Sequence, residues 1–342
     1  MGIDQNSEVD VFDLLPDALV LEIFNRVEDA KSLSACSVLC KRFGDLVAQT
    51  QNVSLEITRR KTLQEVSKGW HMNKSKGLIA RFVLKPLHAL VHRMVSRKSK
   101  TCCDDEDDDM FRLPNDLLKN FKEIRSLSVK LPGHDGDISS ENGSGALLKW
   151  KAEFGKQLES CVILGATGFH KRDETETLKS EAPAAAASNL TNKQLKKRVV
   201  WTISCLIASS ARHHILKQII SWNHRTIRDV KISDGSKQGT IQMTEKQVVE
   251  LRKEMDKVVG LERTKVPAVT IKMWYVPVLE LPESGGVMKG ATLAVIRPTT
   301  VPVEKEDDVT LATGAFGEDF TAEAVRKLVH TNKSYTLEMN SF

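Results

Sequence analysis

The sequence predicts an α+β fold, with a three-helix N-terminal module followed by an irregular α/β region. Three observations carry this reading. Apolar residues recur at helical spacing between positions 12 and 47. Beyond position 50, short apolar runs that end in Gly-, Asp- or Ser-rich turns alternate with helical stretches. Two longer strand-like runs, a helix and a closing strand occupy the C-terminal part.

In the first module, Leu15, Leu19, Ile23 and Val27 recur four residues apart, and Val20 and Phe24 widen the stripe. Pro16 sits just inside the start, where a missing N–H is harmless. Asp29 suits an N-cap for a second short helix carrying Leu33, Cys36 and Val38. Cys40, Phe43, Leu46 and Val47 mark a third. Three helices this short cannot bury all their apolar surface among themselves, so part of it must meet the following domain or a partner. Cys36 and Cys40, four residues apart, read as buried packing residues.

Strand-like runs follow at 52–57, 124–131, 159–165 and 227–233, with helical stretches at 116–123, 146–157 and 196–222 ahead of the last three. Helix, strand and turn in succession resemble a degenerate leucine-rich repeat, although the spacing is uneven. Longer runs at 266–281 and 291–297 flank Gly285 and Gly286, which suggests an antiparallel hairpin. A helix at 321–330 leads to a strand at 334–339. There Tyr335, Leu337 and Met339 alternate, as in a strand docked by one face. The domain reading is 8–57 for the helical module (core 12–47) and first strand, 58–109 for a basic helical segment and acidic linker, and 110–342 for the α/β region. Mobile loops are expected at 133–145 and 170–192, and an acidic loop at 302–308.

Composition narrows the function classes. The chain has 342 residues, of which 41% are apolar but only 5% aromatic, so the core must be largely aliphatic. A net charge of +5 does not call for nucleic acid. The six cysteines form no Cys-x-x-Cys pair, which argues against a closed zinc site and for a reducing nuclear or cytoplasmic setting. The first ten residues do not read as a signal peptide. The longest apolar run, 199–208, is interrupted by Thr202 and Ser204 and falls well short of the roughly 20 residues of a membrane span. No stable membrane insertion is expected. Cys205, His213, His214 and His224 match no zinc spacing and read as ordinary core or surface residues. No Gly-x-Ser-x-Gly elbow or phosphate loop is present, so no catalytic residue, cofactor or metal is expected. The basic stretch 81–100 reads as a helix with solvated cations rather than an import or membrane-surface signal. Cys102 and Cys103 beside it are weak acylation candidates, because the acidic run 104–109 opposes an anionic membrane.

One motif is more specific. The run Leu14-Leu15-Pro16-Asp17-Ala18-Leu19-Val20-Leu21-Glu22-Ile23-Phe24 resembles the first helix of an F-box, and Ser37-Val38-Leu39-Cys40-Lys41-Arg42-Phe43 resembles the third. Ala18 and Phe43 depart from the Glu and Trp that many F-boxes carry there. The rest of the chain resembles the auxin-up-regulated F-box proteins of plants, through LLKWKAEFG (147–155), CVILGA (161–166) and VVWTISCLIASSARH (199–213). KMWYVPVLELP (272–282), KGATLAVIRP (289–298) and YTLEMNSF (335–342) extend the match.

The resemblance implies a substrate-recognition subunit of a Skp–cullin–F-box ubiquitin ligase, non-catalytic in itself. Its partners would be a Skp adaptor, a cullin reached through that adaptor, and an unknown protein target held by the C-terminal region. On the matching motif positions it implies that Leu15, Pro16, Leu19, Ile23, Leu39, Cys40 and Phe43 anchor the adaptor. A non-ligase F-box scaffold and a small-molecule-sensing F-box protein are the alternatives.

Overall fold

A computed structural model describes residues 11–57, 115–132, 145–171, 190–221, 225–236, 238–256, 264–300, 305–317 and 320–342. The basic segment 58–109, with Cys102 and Cys103, lies outside the described residues, as do His224 and most of the two long loops.

A 3-10 turn at Val11–Leu14 leads into α1 (Asp17–Val27), α2 (Ala30–Ser37) and α3 (Lys41–Ala48). Pro16 is the N-cap residue of α1, and Glu28, in the left-handed region at φ 56°, ends that helix by donating its N–H to the Phe24 carbonyl. Asp29 caps α2 as expected, with Oδ2 accepting from the Ser32 N–H at 2.9 Å. Cys40 caps α3, its Sγ accepting from the Phe43 N–H at 3.4 Å. Here the buried-cysteine reading needs correction, since Cys40 is exposed and Cys36 only half-buried. The chain breaks between α2 and α3, so the two cysteines do not share one helical face.

The helical module is joined to the edge of the sheet. Val20, Phe24, Leu33 and Val47 belong to one continuous core with Val53 and Leu55 of β1 (Asn52–Glu56). The Asn25 side-chain oxygen accepts from the Gln51 N–H at 2.8 Å, and the Ser54 N–H donates to the Glu28 carbonyl at 2.6 Å. A helical turn, α4 (Asn115–Leu118), precedes β2 (Ser126–Leu131).

The remaining elements are β3 (Gly145–Phe154), β4 (Leu158–Lys171), α5 (Asn192–Ser221), β5 (Asp229–Asp234), β6 (Gly239–Met243) and α6 (Glu245–Met255). They are followed by β7 (Val269–Leu281), β8 (Gly286–Pro298), α7 (Lys305–Thr313), α8 (Phe320–Val329) and β9 (Ser334–Met339). The strands form one nine-stranded sheet in the order β1-β2-β5-β6-β3-β4-β8-β7-β9. The repeat-like stack of parallel strands extends only over β1, β2 and β5. β5 and β6 then pair antiparallel, β6 and β3 pair parallel, and β3, β4, β8, β7 and β9 run antiparallel. The fold is therefore α+β, as expected, with a mixed sheet rather than a full solenoid.

Alternation along the central strands divides the core between the two faces of the sheet. Cys161 and Ile163 of β4 pack in the larger cluster with Cys205 and Leu216 of α5. Val162 and Leu164 point the other way, into a cluster with Ala312 of α7 and Val325 and Leu328 of α8. The sheet thus lies between α5 and α6 on one side and α7 and α8 on the other.

The stretch 146–157, expected as a helix, is strand β3. Its Leu, Lys, Ala and Glu content favours helix, but Trp150, Ala152 and Phe154 are buried at alternate positions while β4 and β6 pair on either side. Sheet pairing outweighs weak local preference here. The expected helix at 116–123 shrinks to α4, and the acidic loop 302–308 runs into α7, which begins at Lys305. The hairpin turn forms where expected, with Gly285 at φ 64° between β7 and β8. β9 docks antiparallel on β7, with Tyr335, Leu337 and Met339 packed against the core.

Candidate functional site

The exposed apolar surface is concentrated on the N-terminal helices. Among the described residues, eleven large apolar side chains are exposed, and seven of these fall between Phe12 and Leu39: Phe12, Leu14, Leu19, Ile23, Val27, Val38 and Leu39. Single exposed leucines need no explanation, but a concentration of this kind is the mark of an interaction surface.

Local sequence explains why these residues face outward. In α1, Val20 and Phe24 take the inward stripe, so Leu19 and Ile23, one position earlier in each turn, fall on the neighbouring outer stripe. Leu19 is 52% exposed and Ile23 43%. Val38 and Leu39 occupy the break between α2 and α3, where no helix can turn them inward, and Leu39 is 71% exposed.

Arg42 draws the two halves of this surface together. It donates from Nε to Asp17 at 2.7 Å and from Nη1 to the Phe12 carbonyl at 2.9 Å, and Nη2 bonds the Leu15 carbonyl. The break at 38–40 is thereby held against the entry to α1. Phe43 is half-buried and lies edge-on to Phe24, with ring centroids 5.5 Å apart, and to Phe12 at 6.1 Å.

The residues expected to anchor an adaptor therefore divide into two groups. Pro16, Leu19, Ile23, Leu39 and Cys40 are exposed, whereas Leu15 and Phe43 are half-buried and pack against the core. The second group shapes the surface from below. Sequence reasoning did not single out Phe12, Leu14, Val27 and Val38 as anchors, although spacing alone signalled that the module carried more apolar residues than it could bury. Arg42 as a clamp left no such signal, because its partners are mostly backbone carbonyls.

Of the other residues singled out in the sequence, Cys205 and His213 lie in the interior and His214 is half-buried. His213 stacks on Phe154 at 4.4 Å, with Nε2–H directed at the Gly155 carbonyl (3.1 Å) and Nδ1 facing the Thr264 hydroxyl (2.9 Å). Burial, reinforced by the Lys217 charge, brings its pKa down to about 3. The Cys161 and Cys205 thiols are buried and pushed up by desolvation, the reverse of a reactive thiolate. No metal-binding cluster of His, Cys, Asp and Glu occurs among the described residues, and no helix there is long and apolar enough to cross a membrane.

Comparison with known proteins follows the same division. The F-box domain family matches residues 12–52, the segment that carries the exposed surface. The chain is similar to F-box protein At4g18380 of Arabidopsis thaliana, at 38% identity over 98% of this chain and 95% of the relative. It is 36% identical to F-box protein AUF2 of Arabidopsis thaliana, over 98% of this chain and all of the relative. F-box protein AUF1, from the same plant, is 34% identical over 98% of this chain and all of the relative. No solved structure matches the chain.

Proposed function

The chain belongs to the plant F-box protein family, and from that premise we propose that it is the substrate-recognition subunit of a Skp–cullin–F-box ubiquitin ligase. The N-terminal helices dock a Skp adaptor, which connects the chain to a cullin, and the α/β region holds a protein target for ubiquitin transfer. The observation that carries this reading is the cluster of seven exposed apolar side chains on the N-terminal helices, ready to be covered by a partner. Leu19, Ile23 and Leu39 are the direct anchors, with Pro16 and Cys40 beside them, and Leu15 and Phe43 fix their background.

In this role the chain forms no bond to ubiquitin itself. It acts by proximity, raising the effective concentration of target lysines near the charged conjugating enzyme. The nucleus or cytoplasm is the proposed setting, and the free Cys36, Cys40, Cys161 and Cys205 suit a reducing compartment. Co-purification of the full chain with a Skp adaptor and a cullin tests the role. A three-part complex with target ubiquitination is expected. Recovery of the adaptor without cullin under any condition would instead make the chain a scaffold.

A further inference from the structure

We propose that the cavity between the first turns of α5 and the facing strands β4, β7 and β8 binds a small organic phosphate. The proposal concerns the α/β region alone and does not depend on adaptor docking.

The cavity has a volume of about 390 Å³, within the range of roughly 300–1,000 Å³ usual for small-molecule sites. Four cations line it: Lys193, Lys197 and Arg198 from α5 and Lys289 from β8. No carboxylate lines it. Among the described residues, none of the four is paired with an Asp or Glu.

Arg198 sharpens the point, being only 2% exposed. Its Nε donates to the Thr292 hydroxyl at 2.8 Å, Nη1 to the Gln194 carbonyl at 2.9 Å and Nη2 to the Gly290 carbonyl at 3.2 Å. The Tyr275 ring lies 4.3 Å from the guanidinium. Every partner is neutral, so the hydrogen bonds are made and the Tyr275 and Trp201 rings face the charge, but no carboxylate neutralises it. Buried charges are ordinarily paired with an opposite charge.

The helix itself adds a second anomaly. Helix N-termini favour acidic residues, because the macrodipole is positive there. The first turn of α5 has none, and Lys193, Lys196, Lys197 and Arg198 crowd its beginning. An anion seated among Lys193, Lys197, Arg198 and Lys289, with Lys196 outside the cavity wall, would relieve both the dipole and their mutual repulsion. Local rules broken without internal compensation are characteristic of functional positions.

The sheet makes room for such a ligand. Pairing of β4 with β8 lapses between Gly165↔Thr292 and Gly168↔Lys289, and β7 skips Pro277 opposite Gly290. Gly290 sits at φ 60°, and a side chain there would press on Arg198 and Thr167. The gap therefore depends on glycine and on a proline that has no N–H to pair.

Tyr275, Pro277 and Val278 form an apolar part of the wall, beside Thr167 and Gln194, and Val278 is 47% exposed. Four cations favour a dianion over a monoanion. The apolar wall favours an organic body attached to it.

Phenyl phosphate, titrated into the full chain by calorimetry and thermal unfolding, tests the site. Saturable binding and a raised unfolding midpoint are expected. Lys193→Met and Lys289→Met should each weaken binding about tenfold, while Lys196→Met, equal in charge but outside the cavity wall, should leave it unchanged. Benzoate and inorganic phosphate should each bind about tenfold more weakly than phenyl phosphate. The proposal is overturned if natively folded protein shows no saturable binding. It is equally overturned if the three lysine variants bind alike, or if inorganic phosphate binds as well as phenyl phosphate.

Discussion

His213 shows how a single side chain can couple this fold to pH. Its ring is enclosed by Phe154, Gly155 and Thr264, and burial keeps it neutral with a pKa of about 3. In the unfolded chain the same ring titrates near 6.5. The unfolded state therefore binds the extra proton first as acid is added. Stability from this residue is complete above the unfolded value and falls away as pH drops from 6.5 towards 3. Between about pH 7.5 and about pH 5 the loss amounts to about 2 kcal/mol. Urea unfolding of the native chain and of His213→Gln at both pH values checks this. The native chain should show the steeper decline, and equal slopes would remove His213 from the account.

Residues of the proposed docking surface differ from His213 in where their signal lies. The apolar excess of 12–47 was readable from spacing, because alternate faces of short helices cannot all be buried. Which residues remain outside was not readable. Leu19 and Val20 are neighbours of equal hydropathic character, yet Leu19 is half-exposed and Val20 lies in the core. That choice is set by how the three helices pack on one another and on β1. Cys40 failed for a related reason, since a helix break between it and Cys36 cannot be seen in a spacing of four.

At the scale of elements, β9 is the clearest case of sequence and structure in agreement. Its three alternating apolar residues face the core, and its partner β7 pairs with it from Val269↔Met339 to Trp274↔Ser334. The Phe342 N–H and carbonyl exchange hydrogen bonds with Val266 at 3.0 Å, and the Leu190 N–H donates to the Tyr335 hydroxyl at 3.1 Å. Deleting residues 334–342 exposes an edge of β7 and removes the three half-buried side chains of β9 from the core. A loss of about 3 kcal/mol is expected, read as a lower unfolding midpoint, with adaptor binding retained. Slow amide exchange across 335–342 in the intact chain is the companion measurement, and fast exchange throughout would contradict docking.

Other elements hid themselves in the sequence. β3 carries helix-forming residues, and only its pairing with β4 and β6 makes it a strand. β6 is five residues long, too short for alternation to be distinguished from chance. α6 was overlooked although Thr244 and Gln247 form a capping box at its start. Long apolar runs were legible, then, and short elements placed by their neighbours were not.

At the scale of the whole molecule, one sheet connects two surfaces of different chemistry. The helical module packs on the β1 end and displays apolar side chains. The cation-lined cavity lies near the other end, over β4, β8 and β7. One continuous sheet separates the two surfaces. We propose that the exposed face of the N-terminal helices is the adaptor-docking surface. The most direct test is the affinity of a purified Skp adaptor for the full chain carrying Leu19→Ala and Leu39→Ala together. Both residues are exposed, so folding should be undisturbed and the unfolding midpoint unchanged. Binding should weaken by about 30-fold or more, as expected when buried anchors of an interface are removed. Adaptor affinity equal to that of the unaltered chain would contradict the account.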